Sequence, residues 1–228
     1  MTNVMIRQPG YMPNIGFFKK IQSSDIFVYL DDAQFAKDRF DNRNKIRTDE
    51  GFRWITVPLK RPVYRKKLNE IIISYENDWI TEHIDLIFEN YNKSDYFSSY
   101  WNSIKNIIEK KSKNLIDLNL DLINYFNSEL EIITKTILSS ELDITTKKSE
   151  KLFDICSKIG ASHYISGISG HDYLDESIFA NSKIDLIYEN FVHPEYAQLH
   201  GKFIENMSII DLLFNEGEKS KNILKNNT

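Results

Sequence analysis

The first thirty residues constrain the fold most. Val4 to Gln8 reads as a short strand that stops at Pro9-Gly10, and Pro13 to Ile21 has the pattern of a helix with proline in its first turn. Asp25-Ile26-Phe27-Val28-Tyr29-Leu30 then reads as a buried strand. Strand, helix and strand in so short a span predict a βαβ unit. That unit carries a parallel pair and a crevice at the carboxyl end of its first strand.

The rest of the chain extends this start into an α/β fold with a mostly parallel sheet. Gln34 to Ala36, Lys45 to Arg47, Trp54 to Leu59 and Leu68 to Ser74 read as further short strands. From Trp79 to about Leu138 the apolar residues recur at helical spacing, so a helical insertion is expected over about 79–140. Ser149 to Ile159 reads as a helix stopped by Gly160, His163 to Ser166 as a strand running into a Ser/Gly turn, and Ile184 to Tyr188 as another strand. Between these last two strands a short helix begins near Asp172. Ser208 to Phe214 is a helix with Ser208 at its N-cap position. The expected organisation is one α/β domain over 1–217, followed by a polar tail over 218–228 that frays.

Composition narrows the partners. A net charge of −4 and a pI near 5.8 exclude global attraction to a polyanion, so DNA is not an expected partner. The cations are nonetheless concentrated: Arg39, Arg43, Lys45, Arg47, Arg53, Lys60, Arg61, Arg65 and Lys66 fall between Lys37 and Lys67, which suits a small phosphorylated ligand. Cys156 is the single cysteine and sits on an apolar helix face, so neither a disulfide nor a cysteine zinc site can form and an inert thiol is expected. The N-terminal residues lack the pattern of a signal peptide and no apolar run is long enough to span a bilayer, so a cytoplasmic location without membrane insertion is expected.

Four clusters carry the chemistry. The first, Gln8 to Lys20, fixes a strand-to-helix junction where a helix N-terminus would aim N–H groups at an anion. In the second, Asp31 and Asp32 follow a buried strand and can accept a proton or hold Mg²⁺, while Lys37, Arg39 and Arg43 can neutralise phosphate. The third, Ser166-Gly167-Ile168-Ser169-Gly170, is a small-residue turn that backbone N–H groups could use to approach an oxyanion. In the fourth, His193 and His200 flank Tyr196 and Gln198, and His193 is the histidine better placed to act as a base. Trp54, Trp79 and Trp101 read as core or rim packing.

In this order the clusters resemble the WbqC-like protein family of bacterial surface-polysaccharide gene clusters. The likeness runs through Gln8-Pro9-x-Tyr11-x-Pro13-x-x-Gly16-Phe17-Phe18, Asp31-Asp32-x-Gln34-Phe35, Asn42-Arg43-Asn44-x-Ile46 and Trp54 to Pro58. It resumes at Ser166-Gly167-x-Ser169-Gly170-x-Asp172-Tyr173-Leu174 and continues through Tyr196-x-Gln198 to Ser208 to Gly217. The resemblance implies an enzyme of O-antigen biosynthesis that transfers an acyl or aminoacyl group, glycyl foremost, to the amine of a nucleotide-linked deoxyamino sugar. The donor is left open between ATP with Mg²⁺ and a preformed acyl or aminoacyl donor. The chain lacks the two-histidine motif of adenylate-forming folds, since its first histidine is His83, and this counts against ATP-dependent activation. A homodimer is allowed.

On this reading Asp31, Asp32 or His193 takes the amine proton. Lys37, Arg43 and the Ser166 to Gly170 backbone hold the anions, and Tyr11 and Tyr196 stack on base or sugar. Gln8, Pro13, Gly16, Asn42, Asn44, Asp172 and Gln198 complete the expected substrate and nucleotide site, and no resident metal is assigned. Two rivals remain: nucleotidyl transfer with Mg²⁺ on the paired carboxylates, and a non-catalytic nucleotide-sugar-binding scaffold. All three require the N-terminal crevice and the late Ser/Gly turn to meet in space.

Overall fold

The computed structural model describes residues 1–36 and 39–226. Five strands, β1 (Asn3–Arg7), β2 (Ile26–Tyr29), β5 (Lys135–Leu138), β6 (His163–Gly167) and β7 (Asp185–Glu189), form one sheet in the order β5-β2-β1-β6-β7. Every pairing in it is parallel. Counted within the sheet the order is 3-2-1-4-5, that of a doubly wound α/β sheet. β3 (Arg43–Thr48) and β4 (Gly51–Thr56) form a separate antiparallel hairpin.

Strand alternation divides the core in two. Met5, Phe27 and Tyr29 point to one face, packed by α1 (Ile15–Gln22), the hairpin, α2 (Trp79–Tyr91), α3 (Phe97–Glu109), α4 (Leu115–Glu129), α7 (Ile209–Glu216) and α8 (Lys219–Asn226). Val4, Val28 and Tyr164 point to the other, packed by α5 (Lys148–Lys158) and the short α6 (Ser177–Ala180). The first βαβ unit forms, but its helix begins at Ile15, so Pro13 precedes the N-cap instead of lying in the first turn. Asn14 caps α1 by accepting the Phe17 N–H at 3.3 Å, and β1 and β2 pair from Val4↔Ile26 to Arg7↔Tyr29.

Four expectations are corrected. Leu68 to Ser74 is not a strand: Leu68–Glu70 is a 3-10 turn, and its neighbours make only isolated bridges, Leu59↔Ile73 and Ile72↔Asn114. Lys135–Leu138, expected within the helical insertion, is edge strand β5, paired with β2. Ser208 stands at the N-cap of α7, but its hydroxyl is buried and makes no cap hydrogen bond. The segment expected to fray is helix α8: Leu224 is fully buried and Lys19 Nζ donates to the Leu224 carbonyl at 3.1 Å. Within the described residues no helix is long and apolar enough to cross a membrane.

Candidate functional site at the carboxyl edge of the sheet

From β1 the chain passes to β2 on one side, and after β5 it returns to β6 on the other. The carboxyl ends of β1 and β6 therefore mark the topological switch point, where doubly wound sheets open a crevice. The ladder joining these two strands consists of Asn3↔His163 and Val4↔Tyr164 and stops three residues before each strand ends. The Gln8 to Gly16 loop and the Ser166 to Gly170 turn leave from this point, so the two segments are neighbours.

Arg7, the last residue of β1, has an exposed side chain. The surrounding protein still lowers its pKa by desolvation, with the Tyr173 hydroxyl and the Asp41 carboxylate acting in the opposite sense. Among the described residues its guanidinium has no hydrogen-bond acceptor. Asp41 is buried and accepts the Ala36 N–H at 3.1 Å.

A second cation approaches from α1. Lys20 Nζ pairs with Glu189 Oε2 at 2.5 Å, and it lies 3.5 Å from where a Cβ on Gly167 would stand. Gly167 thus leaves bare backbone over an ammonium at the end of β6. Gly170 is required for a different reason: a Cβ there would collide with Ser166 Oγ and lie 2.9 Å from the Tyr188 ring. Ser169 and Asp172 are exposed, whereas Ser166 is buried with its hydroxyl donating to the Gly167 carbonyl at 3.3 Å.

Beyond the turn, His171 stacks on Tyr188 with ring centroids 3.5 Å apart. Glu176 Oε1 accepts the Tyr188 hydroxyl at 2.7 Å and lies 3.3 Å from His171 Nδ1. His171 is about half exposed, at 53% of its side chain.

The other expected site residues fall into three groups. Those of the first loop hold backbone. Asn44 Nδ2 donates to the Tyr11 and Met12 carbonyls at 3.2 and 2.6 Å, and Asn42 Nδ2 to the Val57 carbonyl at 2.8 Å. Gln8 Nε2 donates to the Gln34 carbonyl at 3.2 Å, and the Pro13 carbonyl accepts the Ile209 N–H at 2.8 Å. Tyr11, expected to stack on a ligand, is fully buried with its hydroxyl 3.1 Å from His83 Nδ1. The N-terminus of α1, expected to face an anion, is covered: a Cβ on Gly16 would lie 3.1 Å from the Phe191 ring, and Asn14 Nδ2 donates to Asn206 Oδ1 at 3.2 Å.

The paired carboxylates are already engaged. Asp31 is buried and accepts from Ser139 Oγ, the Ser140 N–H and Asn69 Nδ2, at 3.0, 3.0 and 3.1 Å. Asp32 receives Ser139 Oγ at 2.5 Å and pairs with Lys151. Burial raises the Asp32 pKa, but the hydrogen bonds and charge of Lys151 and Ser139 outweigh it and leave the carboxylate below its ordinary value. The Tyr196 hydroxyl and Gln198 Nε2 both donate to Asp211 Oδ2, at 2.8 and 2.7 Å, which ties their loop to α7. His193 is half-buried among Phe191, Tyr196 and Phe203: its Nδ1 meets the Pro194 carbonyl at 2.9 Å, its Nε2 is enclosed without a partner, and burial lowers its pKa. His200 Nε2 meets the Asn90 carbonyl at 2.9 Å.

Arg43 remains at the surface, half-buried, its guanidinium 4.4 Å over the Trp54 ring. Lys37 lies outside the described residues. Two surface depressions are found elsewhere, about 490 Å³ between Pro194 and α8 and about 420 Å³ between β4 and α2. Both mix acidic and basic residues; the first is edged by Pro194 and Glu195 and the second by Leu199 and His200 of the fourth cluster, and neither is lined by Arg7 or the 166–170 turn, so strand topology rather than concavity places the candidate site. Arg7, Lys20, Glu189 and His171 were not singled out as site residues. Their shared position becomes visible only once β5, β6 and β7 are ordered around β1.

The model of one protein family, described as the WbqC-like protein family, matches residues 8–223. The chain belongs to the WbqC-like family. Within that family match lie all the clusters described above, while Arg7 precedes it by one residue. A Mycobacterium tuberculosis protein (strain ATCC 25618 / H37Rv), described as "Uncharacterized protein Rv1507c", is 33% identical over 228 residues, covering 99% of this chain and 98% of its own. No solved structure matches this WbqC-like chain.

Proposed function

We propose that this WbqC-like protein binds a nucleotide-linked deoxyamino sugar at the β1/β6 switch point and transfers an acyl or aminoacyl group, glycyl foremost, to the sugar amine. The observation that carries the reading is Arg7: an exposed residue at the carboxyl end of the central strand whose guanidinium has no hydrogen-bond acceptor among the described residues, with Lys20 beneath the neighbouring Gly167. A guanidinium can bind phosphate bidentately, and a diphosphate would supply the acceptor that Arg7 lacks.

Amide formation breaks the bond between the donor's acyl carbon and its leaving group, which departs with the electron pair. It forms a carbon–nitrogen bond and releases a proton from the amine. His171 is the proposed proton acceptor, because it is accessible and the Glu176 carboxylate lies 3.3 Å from its Nδ1. The carboxylates of Asp31 and Asp32 already receive protein donors, and the Nε2 of His193 is enclosed. Backbone N–H groups of the 167–170 turn are the proposed oxyanion donors. The same engagement of Asp31 and Asp32 disfavours nucleotidyl transfer, since Mg²⁺ there would have to displace Ser139 and Lys151.

The test is to incubate the protein with nucleoside-diphosphate amino sugars and glycine plus ATP, or with glycyl and acetyl donors, and follow the sugar by mass spectrometry. A gain equal to one acyl group, lost in Arg7→Gln, supports the reading. Nucleotide-sugar binding with no product under any donor refutes the transfer and favours a binding scaffold.

A further inference from the structure

The β3–β4 hairpin has one face in the core and one outside. Asn44, Ile46 and Ile55 point inward and are buried. On the outer face Lys45 pairs across from Trp54, and Phe52 and Trp54 are 43% and 39% exposed. Phe40, just before β3, is 41% exposed. Single exposed aromatics are ordinary, but these three are contiguous: the Phe40 and Trp54 rings are 5.6 Å apart, and Phe52 and Trp54 6.5 Å. Cations lie over them. Lys45 Nζ is 4.5 Å from the Phe52 ring and 5.4 Å from that of Trp54, and Arg43 is 4.4 Å from Trp54.

This face adjoins the loop that follows β1. The Phe40 carbonyl accepts the Tyr11 N–H at 3.1 Å and lies 2.5 Å from where a Cβ on Gly10 would stand. Gly10 is therefore glycine because Phe40 is pressed against the loop that follows β1. Asp41, the next residue, interacts electrostatically with Arg7. Arg7 and the aromatic surface are thus linked through Asp41 and the loop after β1, and further cations lie over the rings.

We infer that the outer face of the hairpin, centred on Trp54 and Phe40, is the platform on which the nucleobase of the bound nucleotide stacks while its phosphates meet Arg7. The inference rests on the nucleotide-sugar reading above. It fixes the ligand class as one with a flat ring next to a polyanion. A bare phosphate would use the crevice and leave the platform empty. Base–aromatic stacking tolerates any base, because every base has a π-face, and nearby Lys and Arg complement the negative charge.

Binding of inorganic pyrophosphate, UDP and ADP to the full chain separates the two claims. Trp79 and Trp101 are 3% and 9% exposed, so quenching of tryptophan emission by a nucleotide reports chiefly on Trp54, and calorimetry gives the affinities. UDP or ADP should bind about tenfold or more tightly than pyrophosphate. Trp54→Ala should remove that advantage without changing pyrophosphate affinity, and Trp54→Phe, which keeps a ring, should retain most of it. Equal affinities for pyrophosphate and both nucleotides, no binding of any of them, or nucleotide affinity unchanged in Trp54→Ala would overturn the platform. So would an advantage seen only with sugar-bearing nucleotides, which would assign the face to the sugar. Arg7→Gln judges the phosphate site separately: unchanged pyrophosphate affinity would contradict that site, while the Trp54 comparison would still decide the platform.

Discussion

Asn44 and Asn119 direct their amides to carbonyls of the loop after β1, Asn119 Nδ2 reaching Pro9 and also Asp41 at 3.0 and 2.8 Å, while Asn42 holds the Val57 carbonyl. Arg7 and His171 differ in kind, since both are exposed residues at the sheet's carboxyl edge. The residue-scale prediction concerns His171. His171→Asn should lower kcat by about 10² or more with little change in KM, as expected for loss of a general base. Added imidazole should restore part of the rate, and Glu176→Gln should give a smaller loss. A variant that keeps full kcat, or one that imidazole does not rescue, would remove His171 from the chemistry. Sequence gave little warning of this pair, because an exposed histidine and a glutamate five residues apart have no motif spacing, and strand β7 is needed to bring Tyr188 beneath them.

At the scale of elements, the tail offers the clearest contrast between pattern and packing. Glu218 to Thr228 is rich in lysine and asparagine, yet Leu224 is fully buried and the α8 carbonyls of Leu224 and Lys225 accept from Lys19 at 3.1 and 3.3 Å. Leu224→Ala should destabilise the protein by about 2–5 kcal/mol in urea unfolding, as for a leucine removed from a packed core. A change near zero would mean that the segment frays. The strands show why some elements were legible and others not. β1 and β2 are apolar runs flanked by turn residues, and the helix between them starts behind its Asn14 cap, so the unit could be read directly although Pro13 lies just before that cap and not in the first turn. β5 is four residues at a sheet edge with an exposed first half, and it follows a helical stretch without a strong break. Leu68, Ile71 and Ile73 are as apolar as a strand but are buried by an irregular wrap.

For the whole molecule, the βαβ start predicted a crevice, and the doubly wound order gives it a position between β1 and β6. The contents of that crevice were less legible, because motif residues such as Tyr11 and Asn44 support it from the core rather than line it. Their burial has a consequence for acid stability. His83, 5% exposed and facing Tyr11, has its pKa lowered by burial to about 4, against a backbone hydrogen bond with Thr56 that raises it. The unfolded chain takes up this proton near pH 6.5, before the folded one does, so the stability linked to neutral His83 is lost as the pH falls from about 6.5 through 4. The loss should reach about 3 kcal/mol by pH 4. His83→Gln should be less stable at pH 7 but lose less between pH 7 and 4, and an equal loss in both proteins would refute the assignment.

The central claim is that the carboxyl ends of β1 and β6 form a site for a phosphorylated ligand. A structure with a bound nucleoside-diphosphate amino sugar tests it most directly. The diphosphate should lie against Arg7 beside Gly167, with the sugar amine reaching toward His171. A diphosphate seated elsewhere, for example in the depression between β4 and α2, would contradict the account.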